Sequence, residues 1–338
     1  MVKIAATIKD VAKYSGLSIA TISKYINGGN VLDNNKKIID EAIKALDFKV
    51  NEIARGLKTN KTMTIGVLIP DFKNIFFTTI VSNIENVLIQ NGYSTIICDY
   101  KNDIVLEKEK FDFLVNKQVD GIIIIPQGDN VPHIKAQLKK NLPIVLLDRA
   151  LEGVECDTIL VDNMNASYSA VEHLVTNGHK SIGIITGPDD VFTAAERLKG
   201  YIRVYEDYSM KVDESLVKNG DNDIEGGYRC INELLNSKTP PTAVFVTNYE
   251  MTLGAIMALN ESNIKIPDEL SVVGFDNLHM AKIVKPSLSI VVQPMEQIGD
   301  IAANTILKRL KGDMSNYPSM LRLKTELMSN QSVKDLRV

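Results

Sequence analysis

Polar and charged side chains follow several apolar runs of this 338-residue sequence, at points where strands are expected to end. Asp71 follows one run, Asp148 and Arg149 close another, and Asn248 and Asp276 follow two more. Carboxylates accept hydrogen bonds from vicinal hydroxyl groups, and a guanidinium donates several in a fixed fork. These residue types therefore suit a small polyhydroxylated ligand. The simpler interpretation, that such residues cap the next helix, stays open for Asp148 and Asn248 in particular.

Two aromatic residues and one further arginine extend this candidate site. Phe76 and Phe77 come shortly after Asp71 and could stack on a sugar ring or a base. Arg197 lies early in a predicted helix and adds a second fork of donors.

The sequence offers no pattern for catalysis or for a metal. The four histidines show no metal-ligand spacing, and the sequence contains no phosphate-binding loop, G-x-G-x-x-G run or G-x-S-x-G nucleophile elbow. We therefore expect neither an enzyme nor a bound cofactor.

Alternating strands and helices should position these residues. Strands are predicted at 64–70, 94–99, 121–126, 143–148, 181–187, 243–247 and 270–276, and helices at 75–90, 106–116, 131–141, 165–177, 194–206, 225–236, 250–262 and 294–310. Several of these strands contain continuous apolar runs, which are typical of parallel sheets covered on both faces. The rhythm restarts near residue 161, so we expect two doubly wound units. Because ligands of such sheets bind outside the carboxyl ends of the strands, the two units would enclose a cleft.

The first sixty residues follow a different pattern. Thr7 can cap a helix with apolar positions 8, 11 and 12, Gly16 can supply a tight turn, and Ser18 can cap a second helix with inward positions 22 and 26. Asp33 can cap a third helix that runs to about Leu46. The first two helices form a helix-turn-helix pattern, whose second helix presents its first residues to base edges in the major groove. The same pattern also occurs in proteins that never touch DNA.

Charge is distributed unevenly along the chain. Residues 1–60 hold ten Lys and Arg against six Asp and Glu, whereas the remainder holds 28 against 36. A basic head on an acidic body suits a polyanionic partner at one end only. The three cysteines are widely spaced and predict buried thiols in a reducing cytoplasm. No signal peptide or apolar run of membrane-spanning length is found, so we expect a cytoplasmic protein with no membrane partner.

Three segments of the head resemble a known family. IKDVA at 8–12, SIATISK at 18–24 and NEIARGL at 51–57 are similar to the DNA-binding head and hinge of the lactose/galactose-repressor (LacI/GalR) family of bacterial transcription regulators. The resemblance continues over essentially the whole chain and implies a two-lobed core similar to periplasmic sugar-binding proteins. It implies a head over residues 1–60 with a hinge helix at about 51–58. It also implies a first lobe of about 61–161 and 292–320, and a second lobe of about 162–291 and 321–338.

The resemblance assigns roles to individual residues. The candidate DNA-binding residues are Thr7, Ser18, Ile19, Ala20, Thr21, Ser23, Lys24, Asn27, Asn51, Ala54, Arg55, Leu57 and Lys58. Leu57 would be the apolar wedge that kinks a central minor-groove step. By resemblance, the residues that match effector-contacting positions are Phe76 or Phe77, Asp148, Arg197, Asn248, Asp276 and Gln293. Asp71 and Arg149 complete the set of candidate effector-binding residues because they lie at predicted strand ends.

Three positions depart from the family pattern. Val50 stands where a proline usually begins the hinge helix, and Lys24 stands where arginine is common. Tyr249 replaces an aspartate that often follows the asparagine at 248, so the ligand class is less defined.

The preferred hypothesis is a homodimeric transcription regulator that acts as a repressor. It would bind a palindromic operator and respond to a sugar-like metabolite bound between its lobes. One alternative is control by a phosphorylated protein, as in catabolite control protein, a family member. The corresponding segment Met295–Asn304 has acids and no arginine, which disfavours a phosphoprotein. Another alternative is a non-regulatory intracellular sugar-binding protein, against which the basic head argues.

Overall fold

The computed structural model describes residues 6–26, 28–49, 61–128, 131–276 and 278–337. The chain divides into two compact units, residues 1–62 and 63–338. The predicted hinge helix lies outside the described residues, as does Asn27.

The first unit is a small helical head of three helices, α1 (Ile8–Ser15), α2 (Ile19–Ile26) and α3 (Asp33–Ala45). Thr7 caps α1 through a reciprocal capping box with Asp10, and Gly16 ends α1 at φ 68°. The Ser18 hydroxyl accepts from the Thr21 N–H at 3.1 Å and so caps α2. All three of these sequence predictions are confirmed.

A minimal apolar core holds the head together. Val11, Ile22, Ile39 and Ala42 are fully buried and come from all three helices. One prediction is wrong: Asp33 is the first residue of α3 rather than its cap, and Leu32 precedes it without a side-chain cap. Asp33 instead pairs with Lys36 one turn later, at 2.8 Å.

The second unit alternates strands and helices, as predicted. Its strands are β1 (Thr64–Ile69), β2 (Ser94–Asp99), β3 (Gly121–Ile124), β4 (Ile144–Leu147), β5 (Asp157–Val161), β6 (Ile182–Thr186), β7 (Val217–Asn219), β8 (Ala243–Val246), β9 (Ser271–Phe275), β10 (Ser289–Val292), β11 (Met320–Leu323) and β12 (Glu326–Met328). Its α-helices are α4 (Ile75–Gln90), α5 (Ile104–Asn116), α6 (Pro132–Leu138), α7 (Asn163–Thr176), α8 (Phe192–Asp207), α9 (Ile224–Leu235), α10 (Tyr249–Glu261), α11 (Leu278–Ile283) and α12 (Met295–Leu310).

The strands form two six-stranded sheets with the same order. The first sheet runs β11-β5-β4-β3-β1-β2 and the second β12-β10-β9-β8-β6-β7. Every pairing is parallel except that of β10 with β12, which is antiparallel. In each sheet, the first strand of the lobe lies between the second and the third, so the strand order reverses there. Ligands bind at the carboxyl ends beside such a reversal.

The chain crosses between the two lobes three times. It leaves the first sheet after β5, returns between β10 and α12, and crosses again between β11 and β12. The last crossover therefore follows Leu323, slightly later than the expected position near 320. The sequence after Pro318 predicts a single closing strand and a short tail, whereas the structure has two strands there, one on each sheet. β5, β7, β10 and the short helix α11 were not predicted.

Helices cover both faces of both sheets and enclose the apolar cores. The strands are buried along nearly their whole length at the centre of each sheet. In the second lobe α9 and α10 approach closely because Gly227 and Gly254 lie where they touch. A Cβ added to Gly254 would overlap the backbone carbonyl oxygen of Ile224. The three cysteines are buried and free, as the sequence indicated. None of the described helices is long and apolar enough to span a bilayer.

Candidate functional site

The exposed face of α2 carries the residues expected to read DNA. Ser18, Ala20 and Lys24 are exposed, and Ile19 remains 46% accessible despite its apolar side chain. Ile22 faces the opposite way and is fully buried. The amphipathic pattern of α2 therefore leaves its first turn available to a partner.

Two of the candidate DNA-binding hydroxyl groups, those of Thr7 and Ser18, also cap a helix. The Thr7 hydroxyl donates to the Asp10 carboxylate, and the Ser18 hydroxyl shares a hydrogen bond of 2.8 Å with the Thr21 hydroxyl. They fix the amino ends of α1 and α2, where backbone N–H groups favour phosphate. The Ser23 side chain is half-buried. Of the remaining candidates, Asn27, Asn51, Ala54, Arg55, Leu57 and Lys58 lie outside the described residues.

The nine residues proposed for effector binding all line one cavity of about 450 Å³ in the second unit. They come from both lobes, at the carboxyl ends of the strands or the first turns of the following helices. The fold thus brings residues as far apart in the chain as Asp71 and Gln293, 222 positions, to a single cleft. A cavity of this volume accommodates a small ligand.

One aspartate in each lobe directly follows a strand, and both aspartates have the same unusual backbone conformation. Asp148 follows β4 at φ 67°, and Asp276 follows β9 at φ 60°. Each still donates its backbone N–H to the neighbouring strand, Asp148 to Ile159 and Asp276 to Val291. The left-handed conformation then ends the strand, at a cost that aspartate tolerates better than most residues. The next element after Asp148 is the strand β5 and not a helix, so for Asp148 the simpler interpretation is wrong.

Arg197, in the first turns of α8, is held rigidly between the strand ends of the second lobe. Its Nε donates to Asn163 Oδ1 at 2.8 Å, and one terminal nitrogen donates to the Thr247 carbonyl oxygen at 2.6 Å. Its guanidinium also lies over the Phe275 ring, 3.9 Å from the centroid. Hydrogen bonds and a cation–π contact thus fix the planar fork before any ligand arrives.

The buried part of the cleft combines two carboxyl groups with two guanidinium groups. Asp148, Arg149, Arg197 and Asp276 are each less than 10% exposed. Burial raises the pKa of Asp276 to about 6, although Arg197 and hydrogen bonds from Gln293 oppose the rise. Burial likewise raises the pKa of Asp148 and lowers that of Arg197. These groups are charged only at a cost, which a ligand with hydroxyl groups would reduce by hydrogen bonding to the charged forms.

Two buried polar atoms in the same cavity lack a hydrogen-bond partner among the described residues. The Gln293 side-chain nitrogen lies 3.0 Å from both carboxylate oxygens of Asp276, which leaves its Oε1 unpaired. Arg149 Nε is also unpaired. Buried polar atoms of this kind are uncommon, and a bound ligand is one explanation for them. The pair offers one acceptor and one donor to a ligand.

Asn248 caps a helix, as the simpler interpretation expected, and it also lines the cavity. Its Oδ1 accepts the Met251 N–H at 2.8 Å and caps α10, whereas its Nδ2 lies 3.2 Å from Asn222 Oδ1.

Phe76 is buried beside Phe77, with the two ring centroids 5.4 Å apart in an edge-to-face arrangement. Asp71 accepts the Lys73 N–H at the mouth of the first lobe.

Sequence reasoning missed several residues of the cleft. Gln127 follows the predicted strand at 121–126, so the strand-end rule used for Asp148 would have found it. Asn163, which does not line the cavity but accepts a hydrogen bond from Arg197, was also missed, because β5 just before it was not among the predicted strands. Asp190, Asp223 and Glu250 also line the cavity, and they were not among the predicted site residues.

A helix-turn-helix head followed by a two-lobed α/β body with a polar interlobe cleft defines a class of ligand-responsive DNA-binding regulators. Comparisons with known proteins agree. Residues 7–51 match the family of "Bacterial regulatory proteins, lacI family", and residues 62–323 match the "Periplasmic binding proteins and sugar binding domain of LacI family".

Relatives match over nearly their whole length. The HTH-type transcriptional repressor PurR of Actinobacillus pleuropneumoniae serotype 3 is 32% identical over 333 residues, covering 98% of this chain and 99% of the relative. Catabolite control protein A of Priestia megaterium is 32% identical over 330 residues, covering 97% and 99%. A solved LacI-family regulator from Enterococcus faecium with bound ribose is 29% identical with a TM-score of 0.74, covering 81% of this chain and 100% of that structure.

The chain belongs to the LacI family of bacterial regulatory proteins. It is a DNA-binding transcription regulator and not an enzyme. The expectations of fold and family from the sequence are confirmed.

Proposed function

We propose that this protein is a dimeric transcriptional repressor whose affinity for a palindromic operator is set by a small hydroxylated metabolite bound between its lobes. The head over residues 1–60 reads the operator, and the two lobes bind the effector. Because its target is chromosomal DNA, the protein acts in the cytoplasm.

The observation that carries the effector half of this proposal is the prearranged Arg197. Its guanidinium is buried with Asp148 and Asp276, in a cavity that also holds an unpaired acceptor on Gln293 and an unpaired donor on Arg149. Vicinal hydroxyls donate to carboxylates and accept from guanidinium groups, so a polyol can satisfy all of these groups together. Related regulators have been solved with ribose and with cellobiose bound.

The DNA half of the proposal rests on the exposed first turn of α2. Lys24 supplies a flexible cation there, and Ile19 can contact a thymine methyl group. Because lysine lacks the planar fork of arginine, we expect readout to depend partly on DNA shape. Two hinge segments at 51–58 would order together on DNA, with Leu57 of each chain entering the minor groove.

Effector and operator sites are coupled through the lobes. A ligand that binds one interlobe angle more tightly shifts the population toward it, and the spacing of the two hinge segments follows. A coupling of roughly 1–3 kcal/mol is typical of such regulators. The coupling must be reciprocal, so operator DNA changes effector affinity by the same factor.

A second candidate, control by a phosphorylated protein partner, is suggested by the similarity to catabolite control protein A. The exposed side chains on the first half of α12 argue against it, since Glu296 and Asp300 lie on that surface. Two carboxylates would repel a phosphoprotein instead of clamping it.

Ligand screening by thermal shift tests the effector half. Purified protein is screened against sugars, sugar phosphates, polyols and purines, together with Arg197→Ala and Asp276→Ala. The matched control is Arg203→Ala, which removes an arginine of the same helix that is half-exposed and away from the cavity. A ligand at a hundred times its dissociation constant stabilises the fold by roughly 2.7 kcal/mol. We expect a hit that both site variants lose and the control keeps. A hit retained in both site variants would contradict the assignment of this cleft.

Selection from a random palindromic library tests the DNA half. The selected duplex is then titrated with wild-type protein, Lys24→Ala and the control Lys44→Ala, which removes an exposed lysine near the end of α3. Loss of a base-contacting lysine should weaken specific binding by about 5- to 150-fold for each half-site, since one good base contact contributes roughly 1–3 kcal/mol. Equal losses with both variants would indicate a purely electrostatic contribution.

A further inference from the structure

The charges that line the cleft are strongly unequal in sign. Among the described residues of the cavity wall, seven carboxylic acids accompany two arginines. The buried group is balanced, since Asp148 and Asp276 face Arg149 and Arg197. The excess belongs to a second set, which we call the acidic rim. It consists of the half-buried or exposed residues Asp71, Asp190, Asp221, Asp223 and Glu250.

Both lobes contribute to the acidic rim, so its members oppose one another across the cleft. Asp71 follows β1 of the first lobe, whereas in the second lobe Asp223 caps α9 and Glu250 lies in the first turn of α10. Burial raises the pKa of Glu250, and repulsion from Asp71 and Asp223 raises it further. The carboxylates are therefore close enough to act on one another and on whatever enters between them.

Nearby cations offset little of this charge. Arg229 pairs with Asp221 at 2.8 Å, but both side chains are at least half-exposed. Lys73 attracts Glu250 from outside the cavity wall. Within the described chain, no group of three or more acids, histidines or cysteines is arranged to hold a metal ion. The rim thus acts as a negative field over the entrance and not as a metal site.

The buried unpaired atoms indicate what lies beneath the rim. Gln293 Oε1 needs a hydrogen-bond donor and Arg149 Nε needs an acceptor, and both side chains are more than 90% buried. An uncharged hydroxyl can serve either atom. A phosphate offers only acceptors to these groups and would bring two negative charges past five carboxylates.

From this charge distribution, and resting on the proposed function, we infer that the cleft selects its effector by charge. The ligand is a hydroxylated ring without phosphate or carboxylate groups, and an amino substituent at its outer end strengthens binding. For a given ring, affinity follows the order amino sugar, neutral sugar, sugar phosphate.

A matched ligand series tests this order. Each of glucose, galactose, mannose and ribose is titrated as the neutral sugar, the amino sugar and the terminal phosphate. We expect the neutral form of the recognised ring to bind at least about tenfold more tightly than its phosphate at about 10 mM salt, where the screening length is about 30 Å. At about 1 M salt the screening length is about 3 Å, and the ratio of the two affinities should therefore fall several-fold.

Glu250→Gln provides the residue-level test, because it removes one rim charge without changing side-chain size. The substitution should reduce several-fold the ratio of the affinity for the neutral sugar to the affinity for its phosphate. The control Glu109→Gln, an exposed glutamate of α5 outside the cavity wall, should leave it unchanged. A phosphate that binds as tightly as its parent sugar, in wild-type protein at low salt, overturns the inference and leaves the proposed function standing. Absence of binding by every member of the series would contradict the effector half of the proposed function, and this inference with it, but not the DNA half.

Discussion

Asp276 should destabilise the ligand-free protein at neutral pH, and Asp276→Asn tests this directly. The carboxyl is 4% exposed, and burial raises its pKa from 3.8 to about 6. A rise of this size corresponds to about 3 kcal/mol of unfolding free energy. The groups facing it are Arg197, Asp148 and Gln293, and their combined influence is contained in that pKa.

The sign of the effect follows from proton linkage. A raised folded pKa means that the folded state holds the proton more tightly than the unfolded state. The resulting stabilisation is fully present below about pH 4 and is lost as the pH rises through about 6. Above that pH the buried carboxylate is ionised, and the folded state carries the full cost. The asparagine variant carries no such charge at any pH.

The substituted amide also fits the existing hydrogen bonds. Gln293 now donates to both Asp276 oxygens and leaves its own Oε1 unpaired. Without any rotation, the Gln293 side-chain nitrogen can still donate to the carbonyl oxygen of the new asparagine side chain, so one of the two present hydrogen bonds is kept. We therefore expect Asp276→Asn to be more stable than wild type by up to about 3 kcal/mol at pH 8 and nearly equal at pH 4.

Urea unfolding of the second unit at several pH values measures this difference. Asp300→Asn, an exposed aspartate on α12, is the control and should show no comparable change. Asp276→Asn should also bind a hydroxylated effector at least about tenfold more weakly than wild type, because charge-assisted hydrogen bonds are lost. A variant less stable than wild type at pH 8, or a difference that does not depend on pH, would refute the reasoning. The expected opposition of stability and binding is common at functional sites.

Two further predictions concern the framework of the lobes. Gly254→Ala should destabilise the second lobe by at least about 1–3 kcal/mol, since the new methyl group overlaps the Ile224 carbonyl oxygen where α9 and α10 meet; thermal unfolding measures it. Arg309→Ala should cost about 3–5 kcal/mol, because it leaves the fully buried Asp157 without the guanidinium that binds it at 2.7 and 2.8 Å; urea unfolding measures it.

Each of these predictions has its own control. Asn260→Ala removes an exposed side chain from the same helix as Gly254 and should be nearly neutral; a comparable loss there would count against the steric explanation. Although burial raises the pKa of Asp157, hydrogen bonds from Arg309 and Ser319 outweigh burial and hold it below its ordinary value. The stability from this pair should therefore fade below about pH 4. A loss in Arg309→Ala that is equally large at pH 3 would contradict the ion-pair explanation.

Local sequence determined the elements and the edge where the site lies. The capping residues Thr7 and Ser18 and the turn at Gly16 act within three or four positions, so their roles were readable without the fold. Fully apolar runs identified the central strands, and polar residues directly behind them identified the cleft. Asp33 was misassigned because a helix boundary differs by only one residue between cap and first turn.

Only the tertiary structure decided how the site works. Asn163 holds Arg197 from 34 positions away, and Gln293 holds Asp276 from the next strand of the sheet. Burial, which raises the pKa of Asp276, is likewise a property of the packed lobes. The acidic rim arises because two lobes with separate local patterns face one another. Periodicity reports which face of one element is apolar, but it carries no information on which elements meet. That information resides in contacts between distant residues, which the folded chain alone supplies.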